Sequence, residues 1–358
     1  MEKMEKRYEL LRREMGKIGV DAIYVSSAEN HQYVTDFDNP DGWAFITMDK
    51  AWVYADPRYI EAARAEATSL CKVCLPGEPT IPSVCAEESI RTIGYEDFKL
   101  TCAELERLRK SFEGQDIRFV PLGGMLTSLR EFKTDDEVAS IVAAQRIAEA
   151  AFDHICKVLT YDMTEVEVAA ELEYYMKKHG SQKPSFDTIC VSGTASSRPH
   201  GVPRNVKLEK GFLTMDFGAM VNGYHSDMTR TVVIGKADSD MKRLYDTVLK
   251  AQLAAEAAVA EGKKNFDIDK IARDIIYSAG YEGKFGHGLG HGVGLEIHEE
   301  PRLSPKTGDE VLKAGQIVTV EPGIYIEGLY GCRIEDMMYV TKTGADLLTD
   351  CPKELIEL

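Results

Sequence analysis

Two domains are predicted for this 358-residue chain: an α/β domain over residues 1–128 and an α+β domain over residues 129–358. Three observations carry that prediction. From Val20 to about Pro121, short apolar runs alternate with amphipathic ones. Pro121, Gly123 and Gly124 then break the pattern, and Thr134-Asp-Asp-Glu137 opens a long apolar-periodic helix with a capping box. Beyond it the chain becomes strand-rich and dense in carboxylates and imidazoles. A length above that of one typical domain and 44% hydrophobic residues allow two substantial cores.

In the first domain the strands are expected at D-A-I-Y-V, W-A-F-I-T-M, A-W-V-Y-A, R-T-I-G-Y-E and I-R-F-V-P-L. Helices are expected over Tyr59 to Ala67 and from Thr101. In the second, a further capping box at Thr164 to Glu167 starts the next helix. Strands then fall at D-T-I-C-V-S, F-L-T-M-D-F-G-A-M-V and Y-H-S-D-M-T-R-T-V-V-I, helices start at Asp240 and Asp267, and strands return around Val318 and Ile334. No period of 20–50 residues and no low-complexity segment is evident.

A formal net charge of −16 argues against nucleic acid or an anionic membrane as a partner, because either would be repelled without a segregated basic face. The N-terminus is charged throughout, and no apolar run reaches the ~18 residues of a membrane span, so a cytoplasmic protein is expected. Eight scattered cysteines do not form a disulfide framework. Cys71 and Cys74 spell C-x-x-C, but no second pair follows at zinc-finger spacing, and they read as packing residues.

The chemistry concentrates between residues 216 and 335. Six of the eight histidines lie from His179 to His298. Asn222-Gly223 signals a two-residue type I′ hairpin, which would set Val221 opposite Tyr224, Gly218 opposite Asp227 and Asp216 opposite Thr229. Asp216 and Asp227 then share a face as diagonal neighbours, roughly 7–8 Å apart or less at Cβ. Two such acids in an apolar strand pair favour a bound cation over an empty core.

G-H-G-V-G-L-E-I-H-E places His291 and His298 seven residues apart, followed by Glu321 in V-E-P-G-I-Y and Glu335 in R-I-E-D. A set rich in carboxylates with one imidazole suits Mn²⁺, Fe²⁺, Co²⁺ or Zn²⁺, and a metal pair points to hydrolysis. Through Gly286 to Gly294 no G-x-G-x-x-G register can be drawn, which removes a phosphate-cradling reading. Either His287 or His291 could be the ligand, but only His291 stands seven residues before His298. On a strand, Arg333 would share the face of Glu335 and could hold the ligating carboxylates.

The ordered motifs D-F-G-A, S-D-M-T-R-T, G-H-G-V-G-L-E-I-H-E-x-P, V-E-P-G-I-Y and G-x-R-I-E-D resemble those of the pita-bread metallopeptidases, in the Xaa-Pro aminopeptidase and prolidase branch. P-S-F-D-T-I-C-V-S-G, R-P-H-G around His200, and Asn30, Tyr33, Phe37 and D-P-R-Y in the first domain extend the likeness over essentially the whole chain. The resemblance implies a creatinase-like N-terminal domain and a pita-bread catalytic domain. It implies Asp216 on one of two divalent ions, Asp227 and Glu335 bridging, and His291 with Glu321 on the other. Mn²⁺ ranks first among the ions, with Co²⁺, Zn²⁺ or Fe²⁺ as alternatives.

By the same resemblance Glu321 doubles as general acid/base, His200 and His298 contact the scissile carbonyl, and His287 and Tyr325 line the pocket. His31, His154 and His179 are read as structural. Leu289, Arg198 and Cys332 depart from the family pattern beside the site and could reshape the pocket. The expected activity is an Xaa-Pro aminopeptidase acting on peptides with proline second. An Xaa-Pro dipeptidase is the alternative, and a non-catalytic pita-bread binding module a further one. A homodimer is expected by the same likeness.

Overall fold

A computed structural model of the chain describes residues 2–38 and 41–358. It divides into two compact units, Met1–Arg130 and Glu131–Leu358.

Among the described residues of the first unit, β1 (Ala22–Val25), β2 (Trp43–Thr47), β3 (Ala51–Tyr54), β4 (Lys72–Cys74), β5 (Thr92–Tyr95) and β6 (Arg118–Pro121) form one mixed sheet in the order β4-β3-β2-β1-β5-β6. Connection length sets strand direction. The tight turn between β2 and β3 makes an antiparallel pair, whereas the helices Ile60–Glu66 and Cys102–Ser111 carry the crossovers of the parallel pairs β3/β4 and β5/β6. Thr101 closes a full capping box with Glu104. Four helices went unread in the sequence, Glu2–Ile18, Ala28–Thr35, Ile81–Glu87 and Met125–Arg130. Glu2–Ile18 looks like a charged run, yet Met4, Tyr8, Leu11 and Met15 recur at four- and three-residue spacing and are all buried.

The second unit opens with the helices Asp135–Val158 and Glu165–Lys178, both with capping boxes, at Thr134 and Thr164. They cover β7 (Ile189–Ser192), β8 (Gly211–Phe217), the short hairpin β9 (Met220–Val221) and β10 (Tyr224–His225), and β11 (Met228–Ile234). β11, β8 and β7 form a sheet in that order. A second helix pair, Ser239–Glu256 and Asn265–Ser278, is followed by β12 (Gly290–Gly292), β13 (Glu299–Leu303), β14 (Ile317–Val320), β15 (Gly323–Ile326), β16 (Tyr330–Arg333), β17 (Asp336–Thr341) and β18 (Gly344–Leu347).

Five of these strands make the sheet β13-β12-β14-β17-β18, while β15 and β16 pair separately. Each helix pair buries its own apolar cluster, one built on Phe152, Leu172, Leu213 and Phe217, the other on Leu244, Ile276, Val318 and Ile334. The strand expected around Ile334 is interrupted. β16 pairs with β15 up to Arg333, β17 pairs with β14 from Asp336, and Ile334-Glu335 is the step between the two ribbons. Among the described residues no helix is long and apolar enough to cross a membrane.

Candidate metal centre

The hairpin forms in the register that the Asn-Gly turn requires. Val221 opposes Tyr224 and Asp216 opposes Thr229, and Asn222 and Gly223 carry the positive φ values, 51° and 79°, of a type I′ turn. The ladder opens between its two parts at Gly218, where a Cβ would lie 1.9 Å from the Ser226 carbonyl oxygen. Asp216 sits near the end of β8 and Asp227 immediately before β11, both buried.

His291 arrives on β12, threaded between β13 and β14. That passage is narrow: a Cβ on Gly290 would come within 1.9 Å of the Thr319 carbonyl oxygen, so only glycine fits beside the imidazole's strand. Glu321 follows β14, its N–H donating to the Leu289 carbonyl at 2.8 Å. Glu335 occupies the step between ribbons and donates its N–H to the Thr229 carbonyl at 3.1 Å, which ties the second sheet to the first.

The side chains converge. Nε2 of His291 lies 3.5 Å from an Asp227 carboxylate oxygen and 3.4 Å from one of Glu321. Asp227, His291 and Glu335 each offer a ligand atom within 4.8 Å of the others. His291 donates from Nδ1 to the Gly292 carbonyl at 3.0 Å, so Nε2 keeps its lone pair toward the carboxylates. Burial, reinforced by His298, pushes the His291 imidazole down to about 3, which keeps it neutral.

Burial followed by repulsion from Asp216 and Glu321 drives the Asp227 carboxyl well above its usual range. Glu335 is driven up likewise, by burial and then by Asp227. Burial raises Glu321 to about 8, opposed by Arg333 and assisted by Asp216. The remaining oxygen of Asp216, Oδ1, is buried without a hydrogen-bond partner among the described residues. An uncompensated oxygen, three carboxyls crowded beyond their ordinary titration and a lone pair aimed among them fit a divalent cation well.

Metal uptake is therefore expected to displace protons. The raised carboxyl pKa values stabilise the metal-free fold fully below the ordinary carboxylate range, and that contribution is lost as pH rises through about 8 for Glu321. The gap in Tm between metal-loaded and metal-free protein should widen from pH 5 to pH 8. Calorimetry at pH 7 in buffers of different ionisation heat should register release of about one proton or more. Binding heats independent of the buffer would show that the carboxyls are already ionised.

Around the cluster lies a hydrogen-bonded ring. Arg333 donates to Asp216 at 2.5 Å, to the Thr229 hydroxyl at 3.0 Å and to the Tyr325 hydroxyl at 2.7 Å. Strand alternation does not bring it there, since β16 ends at Arg333 and its direct carboxylate partner is Asp216 rather than Glu335. Thr229, overlooked in the sequence although the hairpin register sets it opposite Asp216, donates to Glu335 at 2.7 Å. His287 donates from Nδ1 to the Gly288 carbonyl at 2.8 Å, and its Nε2 accepts from the Tyr325 hydroxyl at 3.0 Å. His287 thus belongs to the pocket wall, and His291 to the carboxylate cluster.

A cavity of about 950 Å³ opens onto the cluster. His200 and His298 face it, as do Phe186, Ile189, Val202 and Arg302. Arg302 was not singled out in the sequence, yet it is the cross-strand partner of His291, and its charge bears on His291, His298 and Glu321. Of the three departures from the family pattern, Leu289 and Cys332 turn into the apolar core, and Arg198 lies exposed outside the cavity wall. None of the three lines the cavity. His31, His154 and His179 also lie elsewhere, the first buried in the N-terminal unit and the other two stacked on Tyr175. His225 is buried against Ser185 at 2.8 Å, outside the cluster.

Comparison with known proteins identifies the family and the fold. Residues 139–342 match metallopeptidase family M24, and residues 7–132 match the creatinase/prolidase N-terminal domain. An Xaa-Pro dipeptidase of Pyrococcus furiosus is 37% identical over 99% of this chain and 100% of its own. Among solved structures, an Xaa-Pro dipeptidase from Bacillus anthracis superposes with a TM-score of 0.94 at 38% identity, covering 99% of this chain and 100% of that one. An X-Pro aminopeptidase from Thermotoga maritima gives 0.90 at 32%, covering 97% and 100%. The chain belongs to metallopeptidase family M24, its pita-bread peptidase unit preceded by a creatinase/prolidase N-terminal domain.

Proposed function

We propose that this metal-dependent peptidase is an Xaa-Pro dipeptidase, hydrolysing the bond between a residue and a C-terminal proline. The observation that carries the hydrolytic reading is the cluster of buried Asp216, Asp227, His291 and Glu335 with the partly exposed Glu321, lining an open cavity. The reading favours the dipeptide over the longer substrates that the sequence alone put first. Its support is the dipeptidase relatives that match end to end, together with Arg302 on the cavity wall, where a guanidinium can receive the free carboxylate of a dipeptide.

In this reading Asp216, Asp227, Glu335, His291 and Glu321 hold two divalent ions, with Mn²⁺ first because four of the five donors are carboxylates. The ions would supply Lewis acidity to the scissile carbonyl and acidify the attacking water. Glu321, steered by the Thr319 hydroxyl at 3.3 Å, takes the proton of that water and returns it to the proline nitrogen. His200 and His298 donate to the oxygen on which negative charge develops. Arg333 holds the Asp216 carboxylate through its charged hydrogen bond. Proline's nitrogen has no N–H to anchor, so the leaving residue is recognised by ring packing and by its carboxylate. We also propose a cytoplasmic homodimer, which sedimentation at assay concentration would check.

Metal-stripped protein reloaded with Mn²⁺ should cleave Xaa-Pro faster than Xaa-Pro-Yaa or Xaa-Pro-amide. Arg302→Gln should lower kcat/KM for Xaa-Pro by about 10- to 100-fold, the worth of a charged hydrogen bond, and barely change it for the amide. Equal losses on acid and amide would remove Arg302 as the carboxylate reader. Faster turnover of the tripeptide would restore the aminopeptidase reading.

A further inference from the structure

The backbone that presents His287 and leads into His291 is rich in glycine, and glycine leaves a chain path undetermined unless something outside holds it. Between Phe285 and Leu289 the holding groups come from one turn of the helix Asn265–Ser278. Arg273 donates from Nη1 to the Phe285 carbonyl and from Nη2 to the His287 carbonyl, each at 2.8 Å. Asp269 accepts the Leu289 N–H at 3.0 Å and grips Arg273 in a two-point ion pair at 2.8 and 2.9 Å. The guanidinium also lies 4.3 Å over the Phe285 ring. Leu289 in turn accepts the Glu321 N–H at 2.8 Å, so the pair is one hydrogen-bonded step from Glu321 and two residues from His291.

We infer that Asp269 and Arg273 are positioning residues: acting through the loop Phe285–Leu289, they set His291 and Glu321 for the second metal and His287 for the pocket. The inference rests on the two-metal reading above. An i,i+4 ion pair on a helix surface is ordinarily worth little. This one is placed inward, with Asp269 buried, and spends its donors and acceptor on three backbone groups of a loop it does not belong to. The same helix carries a natural control in Lys270–Asp274, an ion pair of the same spacing whose side chains are 54% and 59% exposed.

The test is titration of metal-free protein with Co²⁺, followed by calorimetry and by the visible absorption spectrum, beside kcat and KM on Xaa-Pro. Wild type should take up two Co²⁺. Arg273→Met should retain the first and weaken the second by about 10- to 100-fold, with an altered spectrum for that ion and a lower kcat. Arg273→Lys should recover part of the loss, and Lys270→Met should titrate as wild type. Asp269→Asn, nearly the same shape, should show the same split in smaller measure and serves if Arg273→Met does not fold. Two tight Co²⁺ with an unchanged spectrum in Arg273→Met and Asp269→Asn, accompanied only by a lower Tm, would overturn the inference. Wild type that binds fewer than two Co²⁺ would instead remove the two-metal reading, and the inference with it.

Discussion

Asp227→Ala is expected to lower Xaa-Pro hydrolysis at least ~10³-fold, about 4 kcal/mol of barrier, while leaving the metal-free fold as stable as wild type or more so. The two effects have one cause. Asp227 is buried beside Asp216, Glu321 and Glu335, and without a cation it contributes repulsion and desolvation, which is why its carboxyl is driven far above its usual range. Removing it relieves the metal-free protein and deprives the candidate site of a carboxylate oxygen that lies 3.5 Å from the His291 imidazole and groups with Glu335. Thermal melts with and without Mn²⁺ separate the consequences: wild type should gain Tm on loading, and the variant should gain little. A variant that hydrolyses Xaa-Pro at the wild-type rate would sink the assignment of Asp227 as a ligand.

Gly290→Ala is expected to be nearly as damaging by a different route. The added methyl would meet the Thr319 carbonyl oxygen at 1.9 Å, a backbone atom of β14 that cannot swing aside as a side chain would. β12 must move away from β14, and His291 moves with it. Overpacking of this kind costs about 1–3 kcal/mol or more, so Tm should drop by several degrees. Because the displacement falls next to the imidazole and near the Thr319 hydroxyl that accepts the His291 N–H at 3.1 Å, metal affinity should fall as well. Metal uptake and turnover equal to wild type would mean that the two strands can separate without disturbing His291.

Parts of the fold written in local chemistry were legible directly. The helix start at Thr101, the capping boxes at Thr134 and Thr164 and the Asn222-Gly223 turn depend on residues three or fewer positions apart, and each forms as its side chains dictate. The helix Glu2–Ile18 was missed because its charged residues outnumber the apolar seam that buries it. The interruption at Ile334-Glu335 was missed because it arises from a change of partner, from β15 to β14, and a change of partner leaves no local mark.

The candidate site divides along the same line. Sequence by itself determined the types and order of the carboxylates and imidazole that converge at the candidate site, and the hairpin that puts Asp216 across from Thr229, since turn type and a two-residue period fix register locally. Only the tertiary structure decided that Arg333 reaches Asp216 instead of Glu335, that Leu289 and Cys332 face the core instead of the pocket, and that Arg302 stands across from His291. It also decided that Arg273 reaches from its helix to the carbonyls of Phe285 and His287. Those contacts join segments that meet only when separate sheets and helices pack, and packing is set by the burial of whole faces rather than by any neighbour in the chain.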